Sequence, residues 1–115
     1  MSGPPISAAE AGRPVRIRIG PVDLSGDGVP VPVVAGGRHL ILLRDGAGIV
    51  AAERACPHEG ADLARGRCAA GRLVCPRHRA SFDLATGAVS PGWSFRPLRL
   101  FPVEVAADGL WLTIG

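Results

Sequence analysis

The residues able to bind metal or act as nucleophiles are concentrated in one stretch of the chain. Cys56-Pro57-His58 and Cys75-Pro76-Arg77-His78 form a C-x-H pair, sixteen intervening residues, and a C-x-x-H pair. Each pair places one soft thiolate and one imidazole close enough in sequence to share a metal centre. Proline after each cysteine fixes φ and removes a backbone donor, which stiffens the loop, and Gly60 allows a sharp turn beside it. Two centres suit such a donor set. Tetrahedral zinc accepts two thiolates and two imidazoles, although its usual knuckles have two to four residues between paired ligands. A two-iron, two-sulfide cluster takes two thiolates on one iron and two imidazoles on the other.

The other candidates are weaker. Cys68 lies between the two pairs, but four ligands are complete without it, so it reads as a small semi-buried thiol. His39 opens an apolar stretch far from the loops and reads as structural or surface. Trp93, Trp111, Phe95 and Phe101 read as core or as cover for the base of the domain. No nucleophile with its base, phosphate loop or carboxylate pair is present, so no turnover is expected from the chain alone.

The ligand stretch also carries the charge. The formal net charge is +3, and all 13 basic residues are arginine. Between Glu53 and Arg79 six arginines face three acids, which accounts for the whole excess. Arg65, Arg67, Arg72, Arg77 and Arg79 therefore define a basic rim suited to steering an acidic partner. Without lysine or tyrosine, and with few aromatics to stack bases, the chain is a poor nucleic-acid binder. Three cysteines are too few for a disulfide scaffold and suit a reducing compartment. No apolar run approaches the ~18 residues of a spanning helix, and the N-terminus lacks a signal-peptide pattern. A soluble, cytoplasmic protein without membrane contact is expected.

Short strands must position these loops. Residues 1–12 read as a loose arm and 13–115 as one domain. Val15–Ile19 alternates apolar and polar residues with period 2. Val29–Val34 is β-branched but interrupted by Pro30 and Pro32, which demotes it to an edge or irregular strand. His39–Arg44 and Ile49–Arg54 read as strands joined by the turn Asp45-Gly46-Ala47-Gly48. Further strands fit Leu73–Cys75, Ala80–Leu84, Leu98–Val105 and Leu110–Ile114, and Ala61–Ala64 is at most a helical turn. About seven short strands with regularly spaced turns predict an all-β fold, an antiparallel sandwich or barrel.

CPHEG followed by Leu63 and Gly66, then LVCPRH, Ser81-Phe82-Asp83-Leu84-Ala85-Thr86-Gly87, Pro91, Pro97-Leu98 and Phe101-Pro102-Val103 closely resemble the Rieske family over roughly residues 37–115. The resemblance implies a Rieske fold with a small cluster-binding subdomain and a Rieske-type 2Fe-2S cluster. Cys56 and Cys75 would hold the buried iron, His58 and His78 the outer one, and a third loop at Pro91-Gly92 would cover it. High-potential members have an extra cysteine in each loop, and serine and tyrosine donors near the cluster. Here those places hold Ala61, Arg77, Ala80 and Phe82, which implies a potential at the low end of the roughly −150 to +300 mV Rieske range.

At this length the chain resembles a free Rieske-type ferredoxin of bacterial multicomponent ring-hydroxylating oxygenases. That implies a monomeric one-electron carrier between a flavin-dependent ferredoxin reductase and a terminal oxygenase. The alternatives are a small electron-transfer subunit similar to that of nitrite reductase, and a zinc-stabilised binding module. One departure stands out: the family usually has glycine directly after the second histidine, where this chain has Arg79.

Overall fold

A computed structural model describes residues 14–20, 22, 24, 26, 28–45, 48–77 and 79–114. The sequence expectations for residues 1–12 and for His78 lie outside the described residues, as do positions 46 and 47 of the first hairpin turn.

The strands are β1 (Val15–Ile19), β2 (Val31–Ala35), β3 (Arg38–Asp45), β4 (Gly48–Glu53), β5 (Arg67–Ala69), β6 (Arg72–Val74), β7 (Ser81–Asp83), β8 (Leu100–Phe101), β9 (Val103–Ala106) and β10 (Gly109–Ile114). They build three antiparallel sheets in the orders β1-β10-β9, β2-β3-β4-β8 and β5-β6-β7. The all-β expectation therefore holds, as does the edge position of the strand carrying Pro32, and two details differ. Leu98–Val105 is split at Pro102 into β8 and β9, because proline cannot donate to a ladder. Arg67–Ala69, with one buried residue between two exposed ones, had no sequence signal and forms β5. Val31–Ala35 tolerates Pro32 because β2 is the edge strand of its sheet.

The apolar run Leu40-Ile41-Leu42-Leu43 in β3 explains how the layers are joined. Alternate side chains of a strand point to opposite faces, so a strand buried on both sides needs a continuous apolar run. Leu40 and Leu42 pack with Ala51, Phe101, Leu112 and Ile114 in the core against the β1-β10-β9 sheet. Ile41 and Leu43 pack on the other face with Leu63, Leu73, Phe82 and Leu98. The four leucine and isoleucine side chains are all but inaccessible to water. Each contributes about 1.5–3 kcal/mol relative to an exposed position.

The second core belongs to residues 54–99, which leave the central sheet at the end of β4 and return at β8. Ala51 pairs with Phe101 and Ala52 with Leu100, so the two ends of this excursion lie side by side. Glu53 clamps the neck. Its carboxylate accepts two 2.7 Å bonds from the Arg96 guanidinium and a 2.6 Å bond from the Arg99 N–H, and its own N–H donates to the Arg99 carbonyl. Its side chain is only 16% exposed, so this bidentate pair is worth more than an ordinary surface ion pair.

Within the excursion, Asp83 and Thr86 supply the expected turn chemistry. The Asp83 carboxylate accepts from the N–H groups of Ala85 and Thr86, and the Thr86 hydroxyl accepts from Ala88. Gly87 has φ +82° and exchanges backbone hydrogen bonds with Asp83 and Leu98, which ties the segment between them to the core. A Cβ at this position would collide with the Leu98 carbonyl oxygen, part of the backbone. Gly87→Ala should therefore destabilise by about 2–4 kcal/mol through strain and lost close approach. Chemical denaturation measures this, and a loss below ~0.5 kcal/mol would contradict the packing described.

Candidate metal centre

The two ligand loops fold alike. In the first, the Cys56 N–H donates to the Ala61 carbonyl (2.8 Å) and the Gly60 N–H to the Cys56 carbonyl (2.8 Å). In the second, the Cys75 N–H donates to Ala80 (2.8 Å) and the Arg79 N–H to Cys75 (3.1 Å). Gly60 and Arg79 occupy the same place in this closure and share its left-handed backbone, with φ +74° and +60°. The departure noted in the sequence thus has a definite structural form. Arg79 adopts a conformation natural to glycine, at a cost of roughly 1–2 kcal/mol for a residue with a Cβ.

The closures aim both cysteines inward. Cys56 and Cys75 are buried and free, and the Cys56 thiol feels the Cys75 thiol beside it. Burial pushes the Cys56 thiol up. The backbone N–H of His58, and less strongly that of Glu59, point at the sulfur and oppose this, while the neighbouring Cys75 reinforces it. Two buried sulfurs side by side, one already accepting N–H donors, fit thiolates whose charge a metal would neutralise. His58 is exposed at the tip of the first loop, two residues from its cysteine. The structure thus brings Cys56, Cys75 and the His58 loop to one end of the domain.

Phe95 packs against the core as expected, but Trp93 departs from the expectation that it fills core or covers the base, and both rings face the first loop. The His58 imidazole stacks on the Phe95 ring, with centroids 4.8 Å apart and planes 7° apart, and meets Trp93 edge-on at 5.4 Å. Phe95 in turn packs on the buried Phe82. This segment follows Pro91-Gly92 and lies over one face of the first histidine, where a covering loop was expected. Its aromatic content in Gly92-Trp93-Ser94-Phe95 is visible in the sequence, but its contact with position 58 is a long-range one.

Ion pairs fix the loop bases. Arg54 makes a bidentate contact with Asp62 at 2.9 and 3.0 Å, and Asp62 also caps the 3-10 turn Leu63–Arg65 through the Ala64 N–H. The Arg54 guanidinium holds the Asp62 carboxyl down at about 2. Its folded-state value lies below the ordinary one, so the stabilisation is present above that ordinary value and is lost as pH falls toward 2. Glu59 of the first loop and Arg77 of the second form an exposed pair at 3.5 Å, worth under ~1 kcal/mol. Arg72 also turns inward, donating to the Ser81 hydroxyl at 2.8 Å and its carbonyl at 3.3 Å. Of the expected rim, Arg65, Arg67 and Arg79 are exposed and form no ion pair among the described residues.

The Rieske [2Fe-2S] domain family matches residues 17–102, and the chain belongs to that family. Its cofactor is a Rieske-type 2Fe-2S cluster, and the paired, buried cysteines fit the thiolate half of it. The chain is 27% identical to the anthranilate 1,2-dioxygenase ferredoxin subunit of Burkholderia cepacia over 97 residues, covering 84% of this chain and 90% of the relative. Its structure resembles the ferredoxin of carbazole 1,9a-dioxygenase from Nocardioides aromaticivorans IC177 with a TM-score of 0.70 and 29% identity, covering 89% and 97% of the two chains. It also resembles a chain in a complex of reduced oxygenase and oxidized ferredoxin of carbazole 1,9a-dioxygenase, at TM-score 0.68 and 28% identity, covering 76% and 90%. No helix among the described residues is long and apolar enough to cross a membrane.

The left-handed Arg79 yields a direct test. Arg79→Gly should raise the unfolding free energy by up to about 1 kcal/mol, relief of the Cβ penalty being partly offset by unfolded-state entropy. Arg79→Ala, which keeps the Cβ, should change it by less than ~0.5 kcal/mol. Equal effects of the two substitutions in denaturant titrations would show that Arg79 is not held in this backbone state.

Proposed function

We propose that Cys56, Cys75, His58 and His78 hold the 2Fe-2S cluster, and that the protein carries single electrons from a flavin-dependent ferredoxin reductase to a terminal oxygenase. The observation that carries this reading is the matched pair of loop closures, which buries one cysteine in each loop side by side at one end of the domain. The bound cluster supplies a one-electron couple. This chain's residues exclude water from the sulfurs, hold the loops at fixed separation, and leave the His58 edge exposed for a partner.

Several features support the ferredoxin assignment. The chain spans nearly the whole of the anthranilate dioxygenase ferredoxin subunit, and a structural relative occurs in a complex with its oxygenase. The buried Ala80 and Phe82 offer no side-chain donor near the centre, which favours a low potential. Exposed Arg65, Arg67 and Arg79 provide cations for steering an acidic partner. A monomer in the cytoplasm suits a carrier that presents one tip to two partners in turn.

An optical redox titration of the iron-loaded protein tests this reading. It should take up one electron per chain, with a midpoint toward the low end of roughly −150 to +300 mV. Reduced protein should then pass that electron to an oxidised Rieske oxygenase at a rate that falls with added salt. A protein without a reducible chromophore would overturn the electron-carrier reading, and a rate indifferent to salt would remove the arginines from it.

A further inference from the structure

A cleft of about 510 Å³ lies beside the first ligand loop, between the start of β3, the end of β4 and the start of β8. Its accessible apolar wall comes from Ala55 and the edge of Phe101, with Leu40 buried behind them, and Gly60 of the ligand loop closes one side. Glu53 and Asp62 also border it, but both are neutralised. Glu53 is gripped by Arg96 and the Arg99 N–H, and Asp62 by Arg54 and the Ala64 N–H. Arg38 and Arg99 remain, and neither guanidinium has an acid partner among the described residues. Arg38 rests over the Phe101 ring at 5.9 Å, which places a cation against the apolar wall.

The cleft therefore combines two uncompensated cations with an aromatic and aliphatic surface, in a volume typical of small-ligand sites and larger than an inorganic oxyanion requires. Guanidinium groups favour carboxylates because their N–H forks match the two oxygens. We propose that this cleft binds an organic carboxylate with a planar or apolar body, its charge on Arg38 and Arg99 and its body against Ala55 and the edge of Phe101. Such an anion would sit next to Gly60 of the first ligand loop. The cleft volume favours a free aromatic acid as the occupant; an acidic side chain of a docked protein presents the same carboxylate, and the probes below tell the two apart.

The test is a titration of the oxidised, cluster-loaded protein followed by amide NMR, with sodium benzoate, neutral benzamide and the peptide acetyl-Glu-Phe-amide as probes. Benzoate or the peptide should shift the amides of Leu40 and Arg99 saturably, while benzamide should not. Arg38→Gln and Arg99→Gln should each weaken that binding about five-fold or more while leaving the remaining spectrum in place. Tighter binding of benzoate would identify a free acid as the source, and tighter binding of the peptide an acidic side chain. Absence of saturable shifts with either carboxylate, or affinities unchanged in both variants, would overturn the proposal. The amide shifts read the cleft directly, so this outcome is separate from whether the protein carries electrons.

Discussion

Two backbone hydrogen bonds, from Cys56 to Ala61 and from Cys75 to Ala80, set the geometry on which the site depends. Each closes a loop of the same shape and turns one sulfur inward, away from water. A buried thiolate without a counter-charge is costly, so this arrangement is favourable when a metal supplies that charge. Prolines at 57 and 76 narrow the alternatives open to each loop. The fourth residue after each cysteine must then enter the left-handed region, which glycine does freely at position 60 and Arg79 does at a cost.

The rest of the domain holds these two loops in register. The two-sided strand β3 joins the base core to the core beneath the loops, so neither layer can shift without disturbing the other. Glu53 closes the neck through which the loop-bearing segment leaves and returns. Charge is then arranged by function of place. Arg54, Arg72 and Arg96 are consumed by structural contacts and Arg77 by a loop-to-loop pair, while Arg65, Arg67 and Arg79 stay exposed without an ion pair among the described residues.

Much of this was legible in the sequence. The paired cysteine loops, the period-2 pattern of β1, the LILL run of β3 and the Asp83–Gly87 turn all depend on neighbours in the chain, where local rules act. The misses are long-range. Trp93 and Phe95 meet His58 only because the third loop folds back over the first, and Arg38 and Arg99 line one cleft only because β3 and β8 flank β4 in one sheet. β5 is three residues long and gains its strand geometry from pairing with β6 rather than from its own propensity. Arg79 was an intermediate case. Setting CPHEGA beside CPRHRA shows that it stands where Gly60 stands, so its backbone state could have been inferred from the chain's own internal likeness.

The central claim is that two thiolates and two imidazoles of this chain hold a two-iron cluster. Low-temperature EPR of the dithionite-reduced protein, with iron and sulfide quantified on the same sample, tests it most directly. The account predicts two irons and two sulfides per chain, on the stoichiometry of the cluster, and a rhombic signal whose mean g lies well below that of an all-cysteine ferredoxin. A colourless, EPR-silent protein containing one zinc would contradict it.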